Sequence, residues 1–299
     1  MVQGHISFSR DSRGASKHGT NEAFEGFNRS PGQLRALIDT PDALAQTAPE
    51  MAEDWLLGSI ERRRARLVQI SVVQRERIEE FVEKLFDEDS DRCRDIIDDA
   101  LLENGDPQKV AELLMEPAAR IIGENWCADE CDFLKVTIAI SRMQRLFRRM
   151  TSEHPPGALP DLSRCALLTP APGEQHTFGL CVVDDAFRRA GWEVDCCGCD
   201  EEFEMLRLVA SSHYQIIGVS VSVERRLPEL RDIIQRVRSR SRNRSIVLIA
   251  GGSMVMQNPQ SAIDAGFDLL AVDAVSAVAL ADTVVASLKA APEQRVAAE

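Results

Sequence analysis

Chemistry in this chain concentrates in one short stretch, Gly173-Glu174-Gln175-His176-Thr177-Phe178-Gly179. A histidine in a loop can aim a ring nitrogen at a metal, and Gly179 lets a bulky group approach the start of a following helix. A lone loop histidine is equally compatible with a surface residue capping its own loop. The elements around it must decide.

Those elements read strand, loop, helix. The apolar run Cys165-Ala166-Leu167-Leu168 precedes the loop, and an apolar-periodic run from Leu180 to Ala190 follows it. The loop therefore sits at the carboxyl end of a first strand, where open α/β sheets bind ligands. A second strand-like run ends in Gly218-Val219-Ser220-Val221-Ser222, and a third ends in Gly251-Gly252-Ser253. Three strand ends converge on one rim. Strands are expected near 163–169, 192–197, 214–220, 245–250 and 268–272, with helices between them and a last helix over about 275–289. Such alternation makes a parallel sheet covered on both faces, here a flavodoxin-like doubly wound domain of five strands over 162–290.

From 72 to 152 the apolar period is helical throughout. Asp89-Ser90 and Asp106-Pro107 signal helix starts, and Glu116-Pro117 predicts a kink because proline lacks a backbone donor. A last helix from about Cys131 to Met150 should turn Phe133, Ile138, Met143 and Leu146 inward. Short connections imply an antiparallel four-helix bundle. The fold class is thus all-α plus α/β. Residues 1–33 are polar and aperiodic and read as a disordered extension; 34–71 read as a helical segment, 153–161 as a proline-rich linker and 291–299 as a tail.

The order His-x-x-Gly, Gly-x-Ser-x-Ser, Gly-Gly resembles the cobalamin-binding domain of methionine synthase, the mutases and the corrinoid photoreceptors. The resemblance implies that His176 is the lower axial cobalt ligand, replacing the cofactor's own base. Gln175, Thr177, Phe178 and Gly179 complete its loop, while Ser220, Ser222, Gly251 and Gly252 line the slot for the displaced nucleotide tail. The family loop is Asp-x-His-x-x-Gly, and Glu174 stands at the Asp position. A carboxylate there accepts a hydrogen bond from the second ring nitrogen, which fixes the tautomer and raises basicity. Where some members carry a hydroxyl six residues after the strand serine, this chain has Arg226.

Gly123-Glu124-Asn125-Trp126 followed by Phe133-Leu134-Lys135-Val136-Thr137 is similar to the helical cap of corrinoid photoreceptors, in which a Trp covers the upper face of the corrin. Read without the downstream domain, Trp126 is equally an ordinary core aromatic. Val136 and Thr137 replace the Glu-His pair that accompanies an adenosyl upper ligand, which implies cobalamin in its hydroxo or aquo form. These features together resemble the AerR/PpaA group of photosynthesis-gene regulators. The resemblance implies a light- or ligand-responsive regulator, not an enzyme, acting through a PpsR/CrtJ-type repressor and reaching DNA only through it. Alternatives on the same fold are a corrinoid carrier subunit of a methyltransferase and a haem or redox sensor.

Composition sets outer bounds. A net charge of −13 argues against a dedicated nucleic-acid binder. No apolar run is long enough for a membrane span, so a cytoplasmic location is expected. The eight cysteines should be reduced thiols, and Cys196, Cys197 and Cys199 carry no assignable role. The one basic region is 225–244, with eight arginines. Arg238, Arg240 and Arg242 are expected to offer a partner surface on the side away from the cofactor rim.

Overall fold

A computed structural model describes residues 72–296, apart from 158, 175, 198–201, 224 and 226. The expectations for 1–71, Gln175, Cys199 and Arg226 lie outside the described residues. The helical region comprises α1 (Val72–Phe86), α2 (Ser90–Asn104), α3 (Pro107–Val110), α4 (Glu116–Cys127) and α5 (Phe133–Glu153). Asp89, Asp106 and Asp132 cap α2, α3 and α5, each carboxylate accepting a backbone N–H two or three residues on.

At the position of the expected kink the winding of the helix changes. Between α3 and α4 the chain runs through a π-helical turn, Ala111–Met115, just before Pro117. Pro117 has no N–H to offer Leu113, and the Leu113 carbonyl instead accepts from Gln74 Nε2 at 3.3 Å. A side chain from α1 satisfies what the proline leaves open.

The sheet domain follows as β1 (Asp161–Pro170), α6 (Phe178–Arg189), β2 (Trp192–Cys196), α7 (Glu202–Ser211), β3 (Ile216–Ser220), α8 (Leu227–Arg240), β4 (Val247–Gly251), α9 (Ser253–Gln257), α10 (Pro259–Ala265), β5 (Leu269–Leu270) and α11 (Ala274–Val296). All pairings are parallel, in the order β2-β1-β3-β4-β5. This is the flavodoxin-like order, whose switch point lies between β1 and β3. One face buries Met205, Leu206, Leu230, Ile233 and Ile234 of α7 and α8; the other buries Phe187, Ala281 and Val284 of α6 and α11.

Two strands, β3 and β5, are shorter than expected by two residues or more. β3 begins at Ile216 rather than 214 because Tyr214 gives its carbonyl to Asn243 and Gln215 accepts the Cys165 N–H through its side chain. β5 shrinks to two residues, since Asp268 is drawn aside to accept from Arg238 and from the Leu248 N–H. The last helix runs past 289 to Val296.

The helical region packs against α6. Phe178, Val182, Ala186 and Ala274 share one buried cluster with Phe81, Met115, Met143 and Phe147. Phe147 meets Phe178 edge-on at 5.9 Å, and Gln108 donates to Asp185, which also accepts from Arg189.

The basic stretch is not a uniform surface. Arg238 makes a two-pronged contact with Asp268 at 2.7 and 2.8 Å and also donates to the carbonyls of Ile246 and Gly266. It pins the end of α8 to the edge of the sheet and drops out of the expected partner surface. Arg236 pairs with Glu202, and Arg231 donates to the Asp264 carbonyl. Arg238→Ala should therefore cost about 1–3 kcal/mol, because it leaves the largely buried Asp268 carboxylate without its charged partner, although Arg238 itself is 37% exposed. Arg240→Ala, on an exposed position, should stay within about 0.5 kcal/mol. Urea unfolding midpoints at matched slope check both values.

Candidate functional site

The site is built on the β1–α6 connection, above the switch point. Ala171 closes β1 by donating to the Ser220 carbonyl, and the Glu174 N–H returns to the Ala171 carbonyl. Gly173 takes a positive φ of 68° in this turn. The turn folds the Glu174 side chain inward, so that only 3% of the residue is exposed.

A buried carboxylate needs partners, and Glu174 has three. One oxygen, Oε1, accepts from the His176 N–H at 3.0 Å and lies 2.5 Å from His176 Nδ1. The other, Oε2, accepts from the Ser222 N–H at 2.9 Å. Burial alone would raise the acid, but the bonds from the His176 ring, the His176 amide and the Ser222 amide outweigh it and hold the pKa at about 2. An ionised carboxylate only accepts, so in the neutral ring Nδ1 carries the proton and Nε2 the lone pair. The His176 side chain is 61% exposed, and Nε2 has no hydrogen-bond partner among the described residues.

The same bond raises the His176 pKa above its ordinary value, against the opposing effect of burial. The linkage follows by sign. For His176, the stabilisation is present below about 6.5 and is lost as pH rises through the raised folded value. For Glu174, it is present above the ordinary carboxyl value of 4.5 and is lost as pH falls toward about 2.

The four expected slot residues have separate jobs. Ser220 pairs with Pro170 on one side and Gly251 on the other. Ser222 acts through its backbone, giving its N–H to Glu174 and its carbonyl to the Ser253 hydroxyl at 3.3 Å. Gly252 is required: its φ is 99°, and a Cβ there would meet the Val221 carbonyl oxygen at 2.4 Å. Gly251 carries no such demand, since a Cβ would come no closer than 3.7 Å to the Ala271 carbonyl. A Cβ on Gly179 would meet nothing within 4 Å, so the space at the start of α6 is open.

Below the rim, a gap of only about 20 Å³, room for roughly one water, lies between the sheet and α7 and α8. Thr169, Pro172, Met205, Leu230 and Ile233 line it, and none of the four slot residues does. Cys196 lies 3.5 Å from Asp184 on the other face, and Cys197 is buried. Among the described residues no group of three or more His, Cys, Asp or Glu could hold a metal ion.

Above the rim stands α5. Phe147 meets Phe178, and one turn earlier Gln144 Nε2 donates to the Thr177 hydroxyl at 2.9 Å. Moving from Phe178 to Thr177 leaves α6 toward the rim, and moving from Phe147 to Gln144 follows the same direction. The remaining 11 residues of α5, up to Phe133, therefore project about 16 Å past the rim. This overhang corrects the expected facing of α5. Phe133 and Ile138 are exposed, and only Met143 and Leu146 turn inward. Phe133 (58% exposed) and Leu134 (66%) stand near the end of α4, where Trp126 (42%) tilts against Phe133 at 6.5 Å. Trp126 is thus not an ordinary core aromatic. Val136 is partly buried in the helical core, and Thr137 bonds its own helix at the Phe133 carbonyl.

A Glu174→Gln variant should lower the His176 titration midpoint from above about 6.5 to that value or below, because the amide cannot supply the anionic partner. Proton NMR of the ring protons reads the shift.

Comparison with known proteins agrees with this geometry. A B12 binding domain family matches residues 164–280, and a second B12 binding domain family matches residues 77–150. An uncharacterized 20.5 kDa protein in the bchF-crtJ intergenic region of Rhodobacter capsulatus is 30% identical over 171 residues, which span 56% of this chain and 86% of that protein. The monomethylamine corrinoid protein of Methanosarcina barkeri shares the fold with a TM-score of 0.55 at 15% identity, covering 69% of this chain and 97% of that one. A cobalamin-binding protein from Desulfitobacterium hafniense aligns at 18% identity over 69% of this chain and 98% of that one, with a TM-score of 0.38, too low to support an argument. Two B12 binding domains in sequence, together with the bchF-crtJ relative, place the chain in the family of cobalamin-binding-domain regulators of the AerR/PpaA type.

Proposed function

We propose that the protein is a regulator that binds cobalamin through His176 and signals by binding rather than by turnover. The observation that carries this reading is the Glu174–His176 pair: a buried anion holds one ring nitrogen and leaves the other free above the switch point. A single protein nitrogen suits a metal whose equatorial positions its own macrocycle fills. The open space at Gly179 and the apolar overhang of Trp126, Phe133, Leu134 and Ile138 fit a large flat group between rim and cap.

Bound there, a corrinoid would supply a cobalt centre with exchangeable, photolabile ligation. The chain's own residues would bind and orient it: Glu174 would keep the His176 tautomer, Ser222 and Gly252 shape the rim, and Trp126 would cover the group from the helical side. With Val136 packed inward and Thr137 turned to its own helix, no acid–base pair is present at these two positions to hold an adenosyl group. The hydroxo or aquo form is the expected ligand, and the partner is a repressor of the PpsR/CrtJ type.

The fold likeness to the monomethylamine corrinoid protein favours a second reading, a methyl-carrying corrinoid subunit. Absorption spectra of the purified full chain with aquocobalamin and adenosylcobalamin decide among these readings and a haem sensor. The expected result is dark retention of the aquo form over the adenosyl form after desalting. His176→Ala should weaken uptake or return the cofactor to its own base, and Trp126→Ala should narrow the preference. An unchanged His176→Ala spectrum would remove the axial assignment.

Partner docking falls to what remains of the basic stretch. Arg240, Arg242 and Arg244 are exposed, and none has a carboxylate in ion-pair distance among the described residues. Buried Ser241 and Asn243 alternate with them and anchor the loop, Asn243 donating to the Tyr214 carbonyl. Arg242 and Arg244 each spend one donor on a backbone carbonyl, that of Ser211 and of Ser239. Reversing all three to Glu should leave cobalamin uptake intact and weaken capture of the repressor, with wild-type capture falling as salt rises. A pull-down across a salt series reads this.

A further inference from the structure

Thr177 occupies the N-cap position of α6, yet its side chain makes no cap hydrogen bond. Threonine at this position ordinarily accepts from the N–H of the second or third helical residue, here Gly179 or Leu180. Its backbone is also unusual for a cap: φ −102° and ψ −6° lie in the helical region rather than the extended one. The hydroxyl is used elsewhere, accepting from Gln144 Nε2 of α5 at 2.9 Å. One short side chain therefore has two competing uses. It can bind the overhanging helix, as here, or cap its own helix once its backbone moves to the extended region that a cap uses.

The position of this choice matters. Glu174 and His176, just before Thr177, are held: Glu174 is bound through its own N–H and takes the His176 amide, the His176 ring and the Ser222 amide. Thr177 is the first residue after His176 with an alternative partner. The helix that carries Gln144 also carries Phe133, Leu134 and Ile138 above the rim. We propose that Thr177 is a two-position switch that couples the His176 loop to α5, bonded to Gln144 in one state and capping α6 in the other. Movement of α5, as when a group enters beneath its overhang, breaks the Gln144 bond and frees the hydroxyl to close the first turn of α6. A change at His176 acts in reverse through the adjoining peptide. This deepens the cobalamin reading, but its first test needs no cofactor.

That test is amide hydrogen exchange at Gly179 and Leu180 in the full chain. Gln144→Ala should slow exchange there by about 2- to 30-fold, the range set by an N-cap hydrogen bond. Adding Thr177→Val should abolish the slowing, whereas adding Thr177→Ser should keep it. The inference is overturned if Gln144→Ala leaves these amides unchanged or faster, or if the Val and Ser variants behave alike. In a second arm, aquocobalamin is added to wild type and to Thr177→Val. Expected is slowing at Gly179 and Leu180 in wild type alone; binding without that difference overturns the coupling. If no cobalamin is taken up, the reading of the site fails and the first arm alone decides the switch.

Discussion

The structure depends on one buried carboxylate. Glu174 sits at the switch point of a parallel sheet, where the chain leaves β1 in one direction and β3 in the other. Its two oxygens hold those departing segments together, with His176 on one and Ser222 on the other. A charge so placed is tolerable only with all its bonds made, which turns a flexible connection into a fixed one. The orientation of the histidine and the path of the chain at Ser222 follow from that closure. The extra methylene of Glu relative to Asp does not prevent it.

The helical region adds a second constraint. Its core is closed onto α6 by Phe147, Met143 and Phe178, so α5 cannot be placed independently of the histidine loop. The apolar side chains left over at the far end of α5 have no covering element among the described residues. Their exposure is a cost the chain bears on a surface directly above the rim, the signature of a surface meant to meet something.

What could be read from the sequence divides along the range of the interactions. The sheet order, the capped helices and the histidine loop were legible because strand period, Asp-Pro and Asp-Ser signals and the Glu-x-His spacing are local. Phe133 and Ile138 were misassigned because periodicity reveals a stripe but not where the covering domain stops. Arg238 looked like one more surface charge; its partner Asp268 lies 30 residues away, and nothing local announces the pair. Gln144 carried no signal at all, since its bond to Thr177 crosses 33 residues. Pro117 announced a disturbed helix, but not that the disturbance would be a π-helical turn or that a glutamine 39 residues away would take the freed carbonyl.

The Arg238–Asp268 pin has a consequence for how information leaves the molecule. Helix α8 starts just after the rim and ends at the arginine loop, a rod of about 21 Å. Clamped to β5 at its far end, it behaves as a beam anchored in masonry. Strain applied near Ser222 would meet that anchor before it reached the arginines. A partner held by the arginine loop would then sense the sheet edge more than the rim. Such a partner would gain attachment with little news of the rim, and that news would come from the helical end, where the two halves of the chain meet through a threonine and a glutamine.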